Sequence, residues 1–277
     1  MEALDFSQIS QFLPLLAGLI IAAMLAGFIA GLLGIGGGIV IVPTLFWLFS
    51  LIKFTPELAM HTAVGTSLAT IVATSVSSMR AHHNKGAVDW ELFKEWLPTM
   101  AFGALSGGIA AKFISSDVLV LIFACLAILV AFNLIRPVSF KFGSSLPSRQ
   151  KQGGISGFIG FASALMGIGG GTLSVPILVA YSFSTHRAVG TAASLGFIIS
   201  VPATIGFVIS GWGQTGLLPF SLGYVNLIAV LIILPFTILF APIGAKMAHQ
   251  LPEGVIKKAF AIFLFATAAR MIYRLIT

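Results

Sequence analysis

Gly34-Ile35-Gly36-Gly37-Gly38 runs directly into Ile39-Val40-Ile41-Val42 and then Pro43, and the whole phrase recurs later in the chain. The second copy is Gly167-Ile168-Gly169-Gly170-Gly171, followed by Thr172-Leu173-Ser174-Val175 and Pro176. Another phrase, His61-Thr62-Ala63-Val64-Gly65-Thr66, returns as His186-Arg187-Ala188-Val189-Gly190-Thr191. Gly34 to Gly167 is 133 positions and His61 to His186 is 125, so an indel of eight residues lies between proline and histidine. Ile109-Ala110-Ala111-Lys112 then matches Ile243-Gly244-Ala245-Lys246. Echoes in one order at a nearly constant offset are the mark of a duplicated unit.

Of 277 residues, 58% are hydrophobic and 8% charged, against roughly half and a quarter in soluble proteins. The chain is therefore expected to be an all-α polytopic membrane protein. Its long uncharged runs suit helices, not the alternating pattern of barrel strands. Apolar runs read against charges and Gly/Pro breaks give about ten segments: 11–33, 38–52, 58–79, 92–112, 117–136, 153–167, 171–184, 187–209, 223–246 and 254–276. Five segments per half is an odd number, so the second half is expected to enter the membrane upside down. That reading divides the chain into a first repeat at 1–136, a basic polar linker at 137–152 and a second, inverted repeat at 153–277. The segments after each GIGGG are short: Ile39 to Ile52 spans about 21 Å, below the roughly 30 Å of hydrocarbon, so they are expected to start inside the membrane.

Eleven Lys and Arg fall on the face of the linker, among them Arg80, Arg149, Arg187 and Lys246, and four on the other, Lys53, Lys112, Arg270 and Arg274. The excess predicts a cytoplasmic linker and both termini outside. The acidic start, Glu2 and Asp5, does not suit a cleaved signal peptide. Topology also explains the net charge of +7 without a nucleic-acid partner. Cys125, the only cysteine, lies in an apolar run and is expected to pack in the core; it excludes an intrachain disulfide.

Four glycines in five residues make a poor helix, and in lipid their amides need partners within protein or a watery cavity. The next segment presents its N-terminus there, with unpaired N–H groups and a positive dipole end, a ready anion site. Pro43 and Pro176 also free the carbonyls of Ile39 and Thr172. Glycines that only let helices pack closely are the plainer reading; the duplication favours a site made of Gly36, Gly37, Gly38, Gly169, Gly170 and Gly171. Thr62, Thr66, Thr70, Thr74 and Ser78 recur every four residues on one stripe. Thr74 and Ser78 suit back-bonding to the preceding turn, while Thr66, Ser67 and Thr191 are candidates for ligand contact. Arg187 reads equally as a snorkelling anchor or as a gate. His61 and His186 sit at helix starts, where capping is the plain reading and a proton relay the alternative. His82 and His83 read as a solvated turn. Neither His61 nor His186 is expected to ligate a metal, and no convergent nucleophile or acid–base pair in the apolar segments suggests an enzyme. None of the eight acids falls at mid-membrane, which disfavours a cation carrier.

With GIGGG and its downstream proline, HxAVGTS, and the turn HHNKGAVDW at His82–Trp90, the sequence resembles the sulfite exporter TauE/SafE family over about residues 15 to 275. The resemblance implies a secondary transporter in a bacterial or archaeal plasma membrane, moving a small sulfur-containing anion such as sulfite, a sulfonate like sulfoacetate or a related oxyanion. It implies no cofactor. Alternating access around a site at the repeat interface is the expected mechanism. An anion channel or a carrier of a non-sulfur organic anion is the alternative, and a homo-oligomer is left open. The second half carries GWGQTG at Gly211–Gly216 where the first has HNKGAVDW, so no loop role is carried across.

Overall fold

The computed structural model describes residues 6–33, 36–135, 143, 145–247 and 253–276. Within them are ten helices: α1 (Phe6–Leu33), α2 (Gly38–Leu51), α3 (Pro56–His83), α4 (Trp90–Ala110), α5 (Ser116–Ile135), α6 (Arg149–Met166), α7 (Gly171–Ala180), α8 (Thr185–Ser210), α9 (Leu227–Met247) and α10 (Glu253–Ile276). One departure from an all-α plan is a ribbon before α9, with β1 (Ser221–Leu222) antiparallel to β2 (Val225–Asn226). Residues 137–142 and 144 of the linker, and Gly34 and Ile35 of the first GIGGG, lie outside the described residues.

Among the described residues, four stretches are long and apolar enough to cross a membrane: Pro56–His83, Ser116–Ile135, Thr185–Ser210 and Leu227–Gly244. The chain is a multi-pass membrane protein. Helix ends are set by local chemistry. Pro56 opens α3, Glu57 lies in its first turn, and Arg80, His82 and His83 lie in its last, so both ends of the dipole meet opposite charge. The Asp89 carboxylate caps α4, accepting from Glu91 N and Leu92 N at 3.1 Å each. With 14 and 10 residues, α2 and α7 reach only about 21 and 15 Å at 1.5 Å per residue, too short to cross.

The helices pair by an exchange rule. α1 packs on α9 and α6 on α4; α4 packs on α8 and α9 on α3; α3 meets α8, and α5 meets α10. Each pairing maps onto a partner, or onto itself, when the first five helices are swapped for the last five. Glycines make these contacts close. A methyl group on Gly27 of α1 would lie 2.7 Å from the Thr237 backbone of α9, and one on Gly107 of α4 would lie 2.6 Å from the Phe161 carbonyl of α6. Small residues at helix crossings let dispersion replace the hydrophobic driving force that lipid removes.

Several expectations need correction. Cys125 is exposed, not core, on the side of α5 that also turns Leu121, Leu129 and Phe132 outward. His82 is not in a solvated turn: α3 runs on to His83, and His82 is buried with its Nε2 3.4 Å from the Gly31 carbonyl. Thr74 does bond the Thr70 carbonyl, but the buried Ser78 hydroxyl does not bond its preceding turn and has no partner. Finally, the counterpart of Gly86-Ala87-Val88-Asp89 is not GWGQTG but Gly223-Tyr224-Val225-Asn226, since each leads into the fourth helix of its half.

Candidate functional site

Gly36 and Gly37 have φ of +76° and +75°, a backbone that side chains other than glycine rarely adopt. That turn brings the two GIGGG copies together. A methyl on Gly36 would stand 2.8 Å from Gly169 Cα, and one on Gly38 would overlap the Gly167 carbonyl. The loops abut main chain to main chain. Ser67 of α3 fastens the junction, its Oγ donating to the Gly167 carbonyl at 2.8 Å. Gly170 rests on α8, where an added methyl would come within 3.0 Å of Gly196 N.

Neither α2 nor α7 has a side-chain cap; in α2 the amides of Val40 and Ile41 bond the Gly37 carbonyl at 3.0 and 3.2 Å, and the amides before them have no side-chain acceptor. Two hydroxyls in the first turn of α7, Thr172 Oγ1 and Ser174 Oγ, are buried with no hydrogen-bond partner. Ser163 Oγ, in the last turn of α6, shares that condition. A buried polar group left unsatisfied costs about 1–3 kcal/mol, and three so close in sequence to the second Gly-rich loop suit a ligand with several acceptor oxygens. Thr172 and Ser174 were absent from the expected site. Their signal was present: the first copy has Ile39 and Ile41 where the second has Thr172 and Ser174.

Thr66 and Thr191 each accept a backbone hydrogen bond from the opposite half. Thr66 Oγ1 accepts from Asn226 N at 3.0 Å, and Thr191 Oγ1 accepts from Asp89 N at 3.0 Å. Asn226 caps α9 through its own Oδ1, 3.0 Å from Ala229 N, as Asp89 caps α4. Each half therefore uses its HxAVGT threonine to grip the cap residue of the fourth helix in the other half. The glycine one position earlier completes the grip. A methyl on Gly65 would lie 2.6 Å from the Tyr224 carbonyl, and one on Gly190 would lie 2.6 Å from that of Ala87.

The grips differ in what surrounds them. Beside Thr191, Arg187 pairs with Asp89 at 2.6 Å and lies over the Phe183 ring. Beside Thr66, His61 stacks on Tyr224 with ring centroids 4.9 Å apart. Its Nε2 lies 3.0 Å from the carbonyls of Ala111 and Ile114, so an Nε2–H tautomer ties α3 to the α4–α5 turn. His61 is buried, whereas His186 is exposed. The matched histidines thus occupy unlike surroundings. Thr191 meets the N-terminus of α4, while His61 meets its C-terminus; the two grips lie at opposite ends of that helix.

A cleft of about 620 Å³ opens between α4 and α6 beside Asp89. Glu91 and Glu95 share its lining with Lys94 and Arg149, and Arg149 pairs with Glu95 at 3.3 Å. That mixture does not select an anion. Among the described residues, no group of three or more His, Cys, Asp or Glu is placed to hold a metal ion.

Comparison with known proteins agrees with a transport role. The sequence profile of the family described as sulfite exporter TauE/SafE matches residues 19–271. A probable membrane transporter protein of Haemophilus influenzae is 36% identical over 255 residues, covering 91% of this chain and 96% of its own. The probable membrane transporter protein YunE of Bacillus subtilis is 26% identical, covering 92% and 96%. A probable membrane transporter protein of Methanocaldococcus jannaschii is 28% identical, covering 87% and 89%. No solved structure matches the chain. The chain belongs to the TauE/SafE family and is a membrane transporter.

Proposed function

We propose that this TauE/SafE member is a secondary carrier of a small sulfur-containing anion, sulfite, a sulfonate such as sulfoacetate or a related oxyanion, held where the two Gly-rich loops meet. One observation carries the reading: Thr172 and Ser174 stand buried and unpartnered in the first turn of α7, beside the contact of Gly36 and Gly38 with Gly167–Gly169. Their hydroxyls and the first-turn amides of α2 and α7 are all donors. Each oxygen of a trigonal or tetrahedral oxyanion can accept from them, and the dipoles of both short helices favour its charge. With no fixed cation at the junction among the described residues, the anion can leave again.

Calorimetry with sulfite, sulfonates, thiosulfate, sulfate and carboxylates tests the assignment. A sulfur oxyanion or sulfonate should bind most tightly; binding of carboxylates alone would remove it.

Alternating access follows from the exchange rule if residues 1–136 and 153–277 are inverted repeats rocking about the junction. The placement of the two grips at opposite ends of α4 supports that reading. Arg187 belongs to the grip and not to the anion. Its side chain is 59% exposed, so its pair with Asp89 contributes about 0–1 kcal/mol. Arg187→Gln should change flux and its salt dependence while anion affinity shifts by less than about tenfold, or 1.4 kcal/mol. Loss of binding by calorimetry would make Arg187 a direct ligand.

For orientation, the basic excess favours a cytoplasmic linker in the plasma membrane of a bacterial or archaeal cell. In a Cys125→Ser background, an impermeant thiol reagent on intact cells should label Gln214→Cys and spare Ser145→Cys. The reverse pattern would invert the protein.

A further inference from the structure

From about 8 to about 20 Å along α2 from Gly38, at 1.5 Å per residue, a second cavity opens between α2, from Pro43 to Leu51, and the C-terminal half of α10. Its volume is about 510 Å³. We infer that it binds the phosphate of an anionic glycerophospholipid. The Arg270 guanidinium lies 4.8 Å from the centroid of Trp47, and that of Arg274 lies 4.5 Å from the centroid of Phe46. Arg274 also donates to Ser50 Oγ, which in turn donates to the Phe46 carbonyl at 2.7 Å. Stacking covers a face of each guanidinium and leaves edge N–H groups for an acceptor. Among the described residues, neither arginine forms an ion pair; the two ion pairs use Arg149 and Arg187. Two oriented cations without a carboxylate partner offer an anion a site.

The remaining lining selects the source of that anion. Leu51 and Phe263 make the cavity largely apolar, and the exposed Trp47 and Leu51 open it sideways toward lipid, at the depth where helix-end arginines meet headgroups. A free oxyanion gains nothing from that apolar wall, whereas an acyl chain does. Ser50 and Leu51 also belong to the turn by which α2, with 14 residues, outruns α7, with 10. The duplication leaves this turn, and with it the Ser50 hydroxyl that Arg274 holds, without a counterpart in α7. Only membrane embedding is assumed; the identity of the cargo does not enter.

The full chain, purified in neutral detergent, is titrated with phosphatidylglycerol or with phosphatidylcholine of the same acyl chains, followed by native mass spectrometry and thermal melting. Phosphatidylglycerol should bind and raise Tm, and phosphatidylcholine should do so at least about tenfold less well. Arg270→Gln with Arg274→Gln should erase that preference in a protein that still melts cooperatively. If that double variant fails to fold, Arg274→Lys serves: it keeps the charge but loses the planar stack, and should weaken the preference. Equal binding of the two lipids by the wild type overturns the inference, as does a preference that survives these substitutions. An arginine-dependent Tm shift with inorganic phosphate or sulfite alone makes it a free-anion site instead and overturns the lipid assignment.

Discussion

Gly38→Ala is expected to lower anion affinity by about a hundredfold, or 2.7 kcal/mol, in a protein that still inserts and folds. Gly38 is the first residue of α2 and is not among the positive-φ glycines, so alanine suits its backbone and helix propensity even favours it. Only the added methyl matters. It would overlap the Gly167 carbonyl and come within 2.8 Å of Ile71 Cδ1. The Ile71 methyl can rotate away, but the carbonyl is main chain and can yield only if the two loops separate. Overpacking of this kind costs typically 1–3 kcal/mol, and it displaces the donors contributed by one half from those contributed by the other. Gly18→Ala is the control, because a methyl there meets nothing within 4 Å. Calorimetry with the best anion, on samples matched for Tm, decides the matter. If Gly38→Ala binds within about twofold of wild type, the loop contact is packing and the anion lies elsewhere.

That contact was partly legible in the sequence. A duplicated phrase that breaks a helix twice is a strong pointer, because glycine at that density has to be stabilised by something outside its own helix. The direction in which side chains face was much less legible. In α5 the apolar residues surround the helix, since hydrocarbon and protein core accept the same side chains, and so nothing marked Cys125 as outward. Periodicity identifies a buried face only where the other face meets water. The cluster His82-His83-Asn84-Lys85 misled for the opposite reason: its polarity suggested a loop, yet α3 continues through it and buries His82 against α1. GWGQTG drew attention from Gly223-Tyr224-Val225-Asn226 because it has the denser glycines. The shared feature is a cap residue, Asp89 or Asn226, and a cap is recognisable only once the helix it begins has been located.

Thr66→Val and Thr191→Val are each expected to destabilise the fold by about 1–3 kcal/mol, the cost of a buried amide left without its acceptor. Valine keeps the shape and removes the oxygen. In the first variant the Asn226 N–H, and in the second the Asp89 N–H, would face a methyl group. The consequences should then diverge by location, because the grips lie at opposite ends of α4. Hydrogen exchange read on peptides spanning 86–92 and 223–229 separates them: Thr191→Val should speed exchange in the first alone, Thr66→Val in the second alone. A carrier that rocks about its centre closes one end as it opens the other, so exchange at the untouched grip should stay level or slow. Anion binding at the junction should change less than exchange does, since each threonine oxygen is held at its grip by the amide it accepts from. Were either substitution to speed exchange at both ends together, the two grips would open as one. That is the behaviour of a channel, and the alternating-access reading would fall with it.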